Sequence, residues 1–224
     1  MGGDCLHDKR KRERELRKSK VLKERAETWL LVCEGGKTEP NYFESLFKYA
    51  NSLSDKKIKC KIFGIGKNTQ SLVNSVEDFF SCAIQLENDV LIPYGKIFVI
   101  FDKDSFKKEQ FNNAIHTAIK KGYIPIWSNE CFELWFLLHF IPLKSNIPRN
   151  QYFSKLEEFL KRDYQKNDDH FQLLNSEKNL RIAIKNSKKL FEEFESEKSY
   201  AKKAPCTNVH DLIEEIENYL CIKF

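Results

Sequence analysis

Three carboxylates stand directly after apolar runs in this chain. The run Thr28-Trp-Leu-Leu-Val-Cys33 ends in Glu34, and the run Lys96-Ile-Phe-Val-Ile-Phe101 ends in Asp102-Lys-Asp104. Taken singly, each acid could be no more than the polar end of a strand. Together on two apolar strands they point to a shared site, because ligands of an open α/β sheet bind beyond the carboxyl ends of its strands. Carboxylates gathered there would repel one another unless a cation sat between them, and hard oxygen donors suit Mg²⁺ or Mn²⁺. A divalent ion so held polarises a phosphoryl oxygen, lowers the pKa of a bound water and stabilises a leaving oxygen. The chemistry expected of Glu34, Asp102 and Asp104 is therefore phosphate chemistry.

Gly35 and Gly36 let the backbone pass close to a phosphate, and Lys37 is placed to neutralise its charge. Gly-Gly-Lys is not a P-loop, since the GxxxxGK[ST] spacing is missing. Gly64-Ile-Gly66-Lys67 is read either as a second phosphate cradle, with Lys67 touching nucleic acid, or as a plain strand-to-helix turn.

These acids need a sheet to position them. Both apolar runs are short and continuous, the pattern of strands covered on both faces in a parallel sheet. The alternating run 57–65 fits a strand nearer the sheet edge, and Tyr123-Ile-Pro-Ile-Trp127 fits a fourth strand. Between them come helical stripes. Thr38-Glu39-Pro40 offers a capping hydroxyl and an early proline before Tyr42, Phe43, Leu46, Phe47 and Tyr49. Leu72 to Ile84 predict a second helix over 69 to about 88, and Phe111 to Ile119 predict a third, capped by Gly122. Strand and helix alternate four times, so the fold class is α/β: a Rossmann-like open parallel sheet of about four strands. Beyond Asn129 only helices are expected, over 130–140, 151 to about 163, 177 to about 198 and 209–220, the last capped by Thr207 or Asn208. The expected organisation is a basic arm over 1–27, an α/β domain over 28–140 and a helical extension over 141–224 packed on it.

With 41% apolar residues the 224-residue chain can fill a core, which excludes wholesale disorder. Its +5 net charge is unevenly placed. Residues 1–28 hold ten cations against six acids, so four of the five net charges precede the fold. That arm could grip RNA or DNA, meet an acidic partner, or simply aid solubility. No apolar run is long enough to span a membrane and none follows the basic start as in a secretory signal, so a cytoplasmic, membrane-free protein is expected. The seven scattered cysteines contain no CxxC pair, which favours reduced thiols over disulfides or structural zinc.

Three blocks carry a resemblance. Leu31-Val-Cys-Glu-Gly-Gly-Lys-Thr-Glu-Pro-Asn-Tyr-Phe43, Ile100-Phe-Asp-Lys-Asp104 and Ser128-Asn-Glu-Cys-Phe-Glu-Leu-Trp-Phe-Leu-Leu-His139 resemble, in order, the signature blocks of the RloB-like family, and Pro205-Cys-Thr-Asn-Val209 resembles its closing segment. The resemblance spans residue 28 to the end. It implies a bacterial abortive-infection protein of anti-phage defence, paired with an AAA/ABC-type ATPase. It also implies a Toprim-like domain, in which Glu34 acts as general base or acid while Asp102 and Asp104 hold Mg²⁺. Where the family wording has Asn-Pro before Cys-Phe-Glu, this chain has Asn129-Glu130.

Glu130 and Glu133 sit three apart near a helix start, where acids complement the dipole. Glu133 is either a further metal ligand or a helix-terminal acid, and His139 reads as a core or hydrogen-bonded residue in preference to a catalytic one. Lys161, Arg162 and Lys166, beside Tyr164, are either a solvated loop or a phosphate-backbone contact with an aromatic for base stacking.

The leading expectation is a Mg²⁺- or Mn²⁺-dependent endonuclease acting on RNA or DNA, with Lys37 offsetting developing charge. A silent binding or effector subunit of a defence complex is a second reading. A haloacid-dehalogenase-like phosphatase is a third, since Asp102 and Asp104 fit its DxD opening, Ile126-Trp-Ser-Asn129 its second motif and Asp168-Asp169 its acidic pair. Ser105-Phe106 replaces the Gly-Thr of that motif, and Glu34 would have no role there.

Overall fold

The computed structural model describes residues 26–66, 69–82, 84–85, 91–92, 94–104, 106–174 and 179–224. Its centre is a five-stranded sheet built from β1 (Ala26–Cys33), β2 (Lys57–Gly64), β5 (Lys96–Asp102), β6 (Ile124–Asn129) and β7 (Cys206–Thr207). The spatial order is β2-β1-β5-β6-β7. The first four strands are parallel, and β7 pairs antiparallel with β6. A short antiparallel pair, β3 (Ile84–Gln85) and β4 (Leu91–Ile92), lies outside this sheet.

Alternation along the central strands explains why they read as unbroken apolar runs. Trp29, Leu31 and Cys33 of β1, with Phe98 and Ile100 of β5, pack on Tyr42, Phe43 and Leu46 of α1 (Thr38–Ser52) and on Ile213 and Ile216 of α8 (Val209–Leu220). Leu30, Val32, Val99 and Phe101 face the other way, onto Leu72 and Val73 of α2 (Thr69–Ser75) and Phe111 and Ile115 of α3 (Lys108–Lys120). Residues Trp29 to Cys33 are 0% exposed. Each large side chain so buried contributes roughly 1.5–3 kcal/mol, which holds the strand ends in fixed register beneath the acids. The α1 face is completed by α4 (Glu133–Leu137), α5 (Arg149–Leu160), α6 (His170–Leu174) and α7 (Asn179–Glu193).

The α/β class and the four parallel strands agree with the sequence pattern, but β7 adds a fifth strand in the stretch beyond Asn129 expected to hold only helices, because its two residues pair with the open edge of β6. Several elements differ. The second helix stops at Ser75 and continues as a 3₁₀ turn over Val76–Cys82. Residues three apart eclipse in a 3₁₀ helix, so Val76 and Phe79 stay on one side, and Phe79 stacks on Phe63 at 4.5 Å between centroids. The segment expected to be helical over 130–140 is α-helical only over Glu133–Leu137, and Cys131 to His139 are buried on every side. Lys37, not Thr38, is the cap residue of α1; the Thr38 hydroxyl donates to Lys166 O instead. Asn208 is the cap residue of α8, as expected, and Thr207 Oγ1 accepts Val209 N–H, while Asn208 Oδ1 accepts Trp127 N–H at 2.7 Å and ties the helix to β6. Gly122 does end α3, at a φ of 78° that favours glycine. Among the described residues, no helix is long and apolar enough to cross a membrane.

Candidate functional site

From β1 the chain moves outward to β2, then crosses back past β1 to β5, so β1 and β5 are neighbours whose onward connections leave in opposite directions. A crevice opens at such a reversal in doubly wound sheets. Glu34 and Asp102 stand on its floor. Glu34 N–H continues the ladder to Ile100 O at 2.8 Å, and Glu34 Oε2 accepts the Asp102 N–H and the Thr69 hydroxyl, each at 3.2 Å. Asp102 Oδ2 accepts Phe132 N–H at 3.1 Å, which ties the DxD turn to the entry of α4. Asp102 Oδ1 is buried and has no hydrogen-bond partner among the described residues. An unpaired buried carboxylate oxygen costs about 1–3 kcal/mol or more, so a donor or cation at that atom would be favoured.

Two further acids close the floor. Glu39, in the first turn of α1, is 5% exposed and its Oε1 accepts Gly35 N–H at 3.3 Å. A Cβ on Gly35 would lie 2.0 Å from Glu39 Oε2, so the glycine admits this carboxylate. Glu133 is 3% exposed at the start of α4 and accepts the Tyr164 hydroxyl at 2.9 Å. Asp104 pairs with Arg149 at 2.6 Å. Together these residues line a cleft of about 290 Å³ whose wall also includes Lys37, Thr38, Lys166 and Asn167. The loop carrying Lys166 is fastened down: Thr38 and Asn41 donate to Lys166 O and Asn167 O, and Ser45 donates to Asp169 Oδ2 at 2.6 Å.

Burial with few counter-charges governs the electrostatics. The Glu34 carboxyl is pushed up to about 7, chiefly by burial, against the pull of its Asp102 and Thr69 hydrogen bonds. Burial also raises Asp102 well above the usual carboxylate range, reinforced by the negative charges of Glu39, Glu133 and Glu34. Glu39 is raised by burial, with Glu133 adding to the effect. The Tyr164 phenol is raised by burial and by Glu133, so it remains a hydrogen-bond donor to that carboxylate. Near neutral pH Glu34 is therefore close to the midpoint of its titration.

The structure brings Glu34, Lys37, Asp102, Asp104, Glu133 and Lys166 to one cleft. Lys161 ends α5 in the left-handed region, and Arg162 pairs with Asp168 at 2.9 Å; neither lines the cleft. Lys67 lies outside the described residues, as do residues 1–25 of the basic arm. Glu130 contributes its carbonyl, which accepts Asp104 N–H at 2.9 Å. His139 is buried, its Nδ1 lies 2.9 Å from Trp135 O, and burial lowers it to about 4. Glu39 and Arg149 were not foreseen. A second acid five residues after Glu34, in the first turn of a helix rising from the same strand end, was a usable signal for Glu39. Pro148-Arg149 carried none, because its place at the cleft depends on how α5 folds back.

Among the described residues, no three His, Cys, Asp or Glu side chains form a group that could hold a metal ion as they stand. Asp104 is turned to Arg149, and Glu34 to Asp102 N–H and Thr69. The donor chemistry nevertheless fits a hard divalent ion, since every acidic group is a carboxylate and Asp102 Oδ1 is unpartnered.

A family model described as RloB-like protein matches residues 29–216, most of the chain and all of the cleft. No curated protein and no solved structure matches.

Proposed function

The chain belongs to the RloB-like family, and we propose that it is a metal-dependent, Toprim-like nuclease that hydrolyses phosphodiester bonds of RNA or DNA in bacterial anti-phage, abortive-infection defence. The observation that carries this reading is the pairing of Glu34 and Asp102 at the reversal between β1 and β5, with Asp102 Oδ1 buried and unpartnered. Mg²⁺ or Mn²⁺ would be held by Asp102 together with Glu34, Asp104 and Glu133, and when bound would supply Lewis acidity and an activated water. Glu34, whose carboxyl stands at about 7 before any cation binds, would take a proton from the attacking water and return it to the leaving oxygen. Lys37, on the rim, offsets charge that develops on the phosphate. Lys166 would position the flanking backbone, with Lys161, Arg162 and Lys67 as further contacts.

An AAA/ABC-type ATPase that senses infection is the proposed partner, in the cytoplasm. The phosphatase alternative has less support: Asp168 is paired with Arg162, Asp169 accepts from Ser45, and neither lines the cleft.

The test is cleavage of RNA and DNA by purified protein in Mg²⁺ or Mn²⁺, with the ATPase and infected-cell extract added in a second arm. Glu34→Gln is expected to lose about 10²–10⁴-fold of the activity, as when a general base is removed, and Asp102→Asn at least as much. Intact nucleic acid in both arms, with phage protection retained by an Asp102→Asn, Asp104→Asn double variant, would replace this reading with that of a silent effector subunit.

A further inference from the structure

Arg149 is the first residue of α5, directly after Pro148. A cation there opposes the helix dipole, which favours anions at the N-terminus. Its guanidinium reaches instead to Asp104 Oδ2 at 2.6 Å, and Asp104 is raised on a backbone with φ of 39°, a region non-glycine residues seldom adopt. That turn is anchored by Asp104 N–H to Glu130 O and by Lys103 Nζ to Asp104 O at 3.0 Å. The second acid of the DxD turn is thus held by an internal counter-charge, while the first carries the orphaned Oδ1. Both partners line the cleft with 34% and 41% of their side chains exposed, and an ion pair so exposed is weak enough to exchange.

A guanidinium presents a planar fork of donors that matches a phosphate as well as it matches a carboxylate. We propose that Arg149 is a positioning residue that couples cation binding to phosphate binding. It pairs with Asp104 while the cleft is free of substrate, and moves onto a phosphate oxygen when a phosphodiester enters, which releases Asp104 to the cation. This proposal rests on the reading of the cleft as a phosphodiester site. With Asp104 clamped, no three acids among the described residues form a metal-ready group. Coupling of this kind is reciprocal, so the cation also tightens the grip on phosphate.

The experiment is a Mn²⁺ titration of the full chain, read by the electron paramagnetic resonance of free Mn²⁺. It is run with and without a pool of short single-stranded RNA and DNA oligonucleotides bearing uncleavable phosphorothioate linkages. In the wild type the oligonucleotides should tighten Mn²⁺ about 5-fold, the low end of ordinary coupling. Arg149→Gln alone should bind Mn²⁺ about 2- to 5-fold more tightly than wild type, the value of the exposed pair it removes, and oligonucleotide should add little. Arg149→Lys keeps a cation at the helix start and should lie between the two. In an Asp104→Asn background, Arg149→Gln should leave the Mn²⁺ affinity without oligonucleotide unchanged. Wild-type affinity and wild-type coupling in Arg149→Gln would overturn the proposal, as would absence of Mn²⁺ binding. Cleavage of ordinary oligonucleotides is scored separately: coupling without cleavage sinks the hydrolytic reading alone, and cleavage indifferent to Arg149 sinks this one alone.

Discussion

Glu34→Gln should make the protein more stable at pH 8 than the wild type, yet leave it almost unchanged near pH 4.5. Glu34 lies between two strand ends, half-buried, and its carboxyl is moved from 4.5 to about 7. A raised carboxyl means the folded chain holds the proton more tightly than the unfolded chain. The associated stability is fully present below about 4.5 and is lost as the pH rises to about 7. At about 1.4 kcal/mol per tenfold change in proton affinity, full ionisation would cost roughly 3 kcal/mol. Partial exposure screens part of that, so about 1–2 kcal/mol is expected. Glutamine keeps an oxygen for the Asp102 N–H and the Thr69 hydroxyl, so the substitution removes the titration and leaves the hydrogen bonds. Urea denaturation of both proteins at pH 4.5, 6 and 8, in chelator, gives the difference directly. The gap should open in favour of Glu34→Gln through this window. A gap that is constant with pH, or that opens in favour of the wild type, would refute this expectation. Adding Mg²⁺ at pH 8 should narrow the gap, because only the wild type has this carboxylate to offer.

Asp102→Asn should raise the neutral-pH melting temperature by a few degrees, since about 1 kcal/mol is worth about 2–4 °C in a chain of this size, and should abolish any stabilisation by Mg²⁺ in the same thermal scan. Tyr164→Phe removes the donor to buried Glu133 and should cost about 1.5–3 kcal/mol in urea denaturation. Gly64→Ala places a Cβ 2.5 Å from the backbone oxygen of Gly35 and should cost about 1–3 kcal/mol while disturbing the Glu34 loop. Leu31→Ala, in the fully buried centre of β1, should cost about 2–5 kcal/mol and leave cleft chemistry intact in whatever fraction stays folded at low temperature.

The strands were legible because burial on both faces forces an unbroken apolar run, and Trp29 to Cys33 and Phe98 to Phe101 have that cover. The acids ending those strands were legible for the same reason, since a polar residue can follow such a run only where the sheet stops. Legibility failed where the spacing of side chains served two conformations. Val76 and Phe79 fit a 3₁₀ turn as well as an α-helix, and the all-round burial of Cys131 to Leu138 leaves no amphipathic stripe to mark where α4 stops. It failed also where a polar group serves a distant partner. Thr38 looked like a cap and instead holds Lys166 O, Asn208 holds β6, and two-residue β7 owes its place to β6 rather than to any run of its own. Arg149 is the extreme case, because only the return of α5 to the sheet end makes it a partner of Asp104.

A cleft lined by five carboxylates is an unpromising host for a polyanion unless their charge is offset. The structure offsets it with three different devices. Protons sit on Glu34 and Asp102 more readily than on ordinary acids, a phenol donates to Glu133, and a guanidinium covers Asp104. All three are replaceable by a divalent cation, which would release protons as it bound. Metal affinity should therefore climb with pH between about 6 and 8, as Glu34 ionises, and the climb should flatten in Glu34→Gln. Isothermal titration of Mn²⁺ in two buffers of different ionisation enthalpy would count the protons released. A release that is unaffected by Glu34→Gln and by Asp102→Asn would show that the cation is held elsewhere than in the crevice between β1 and β5.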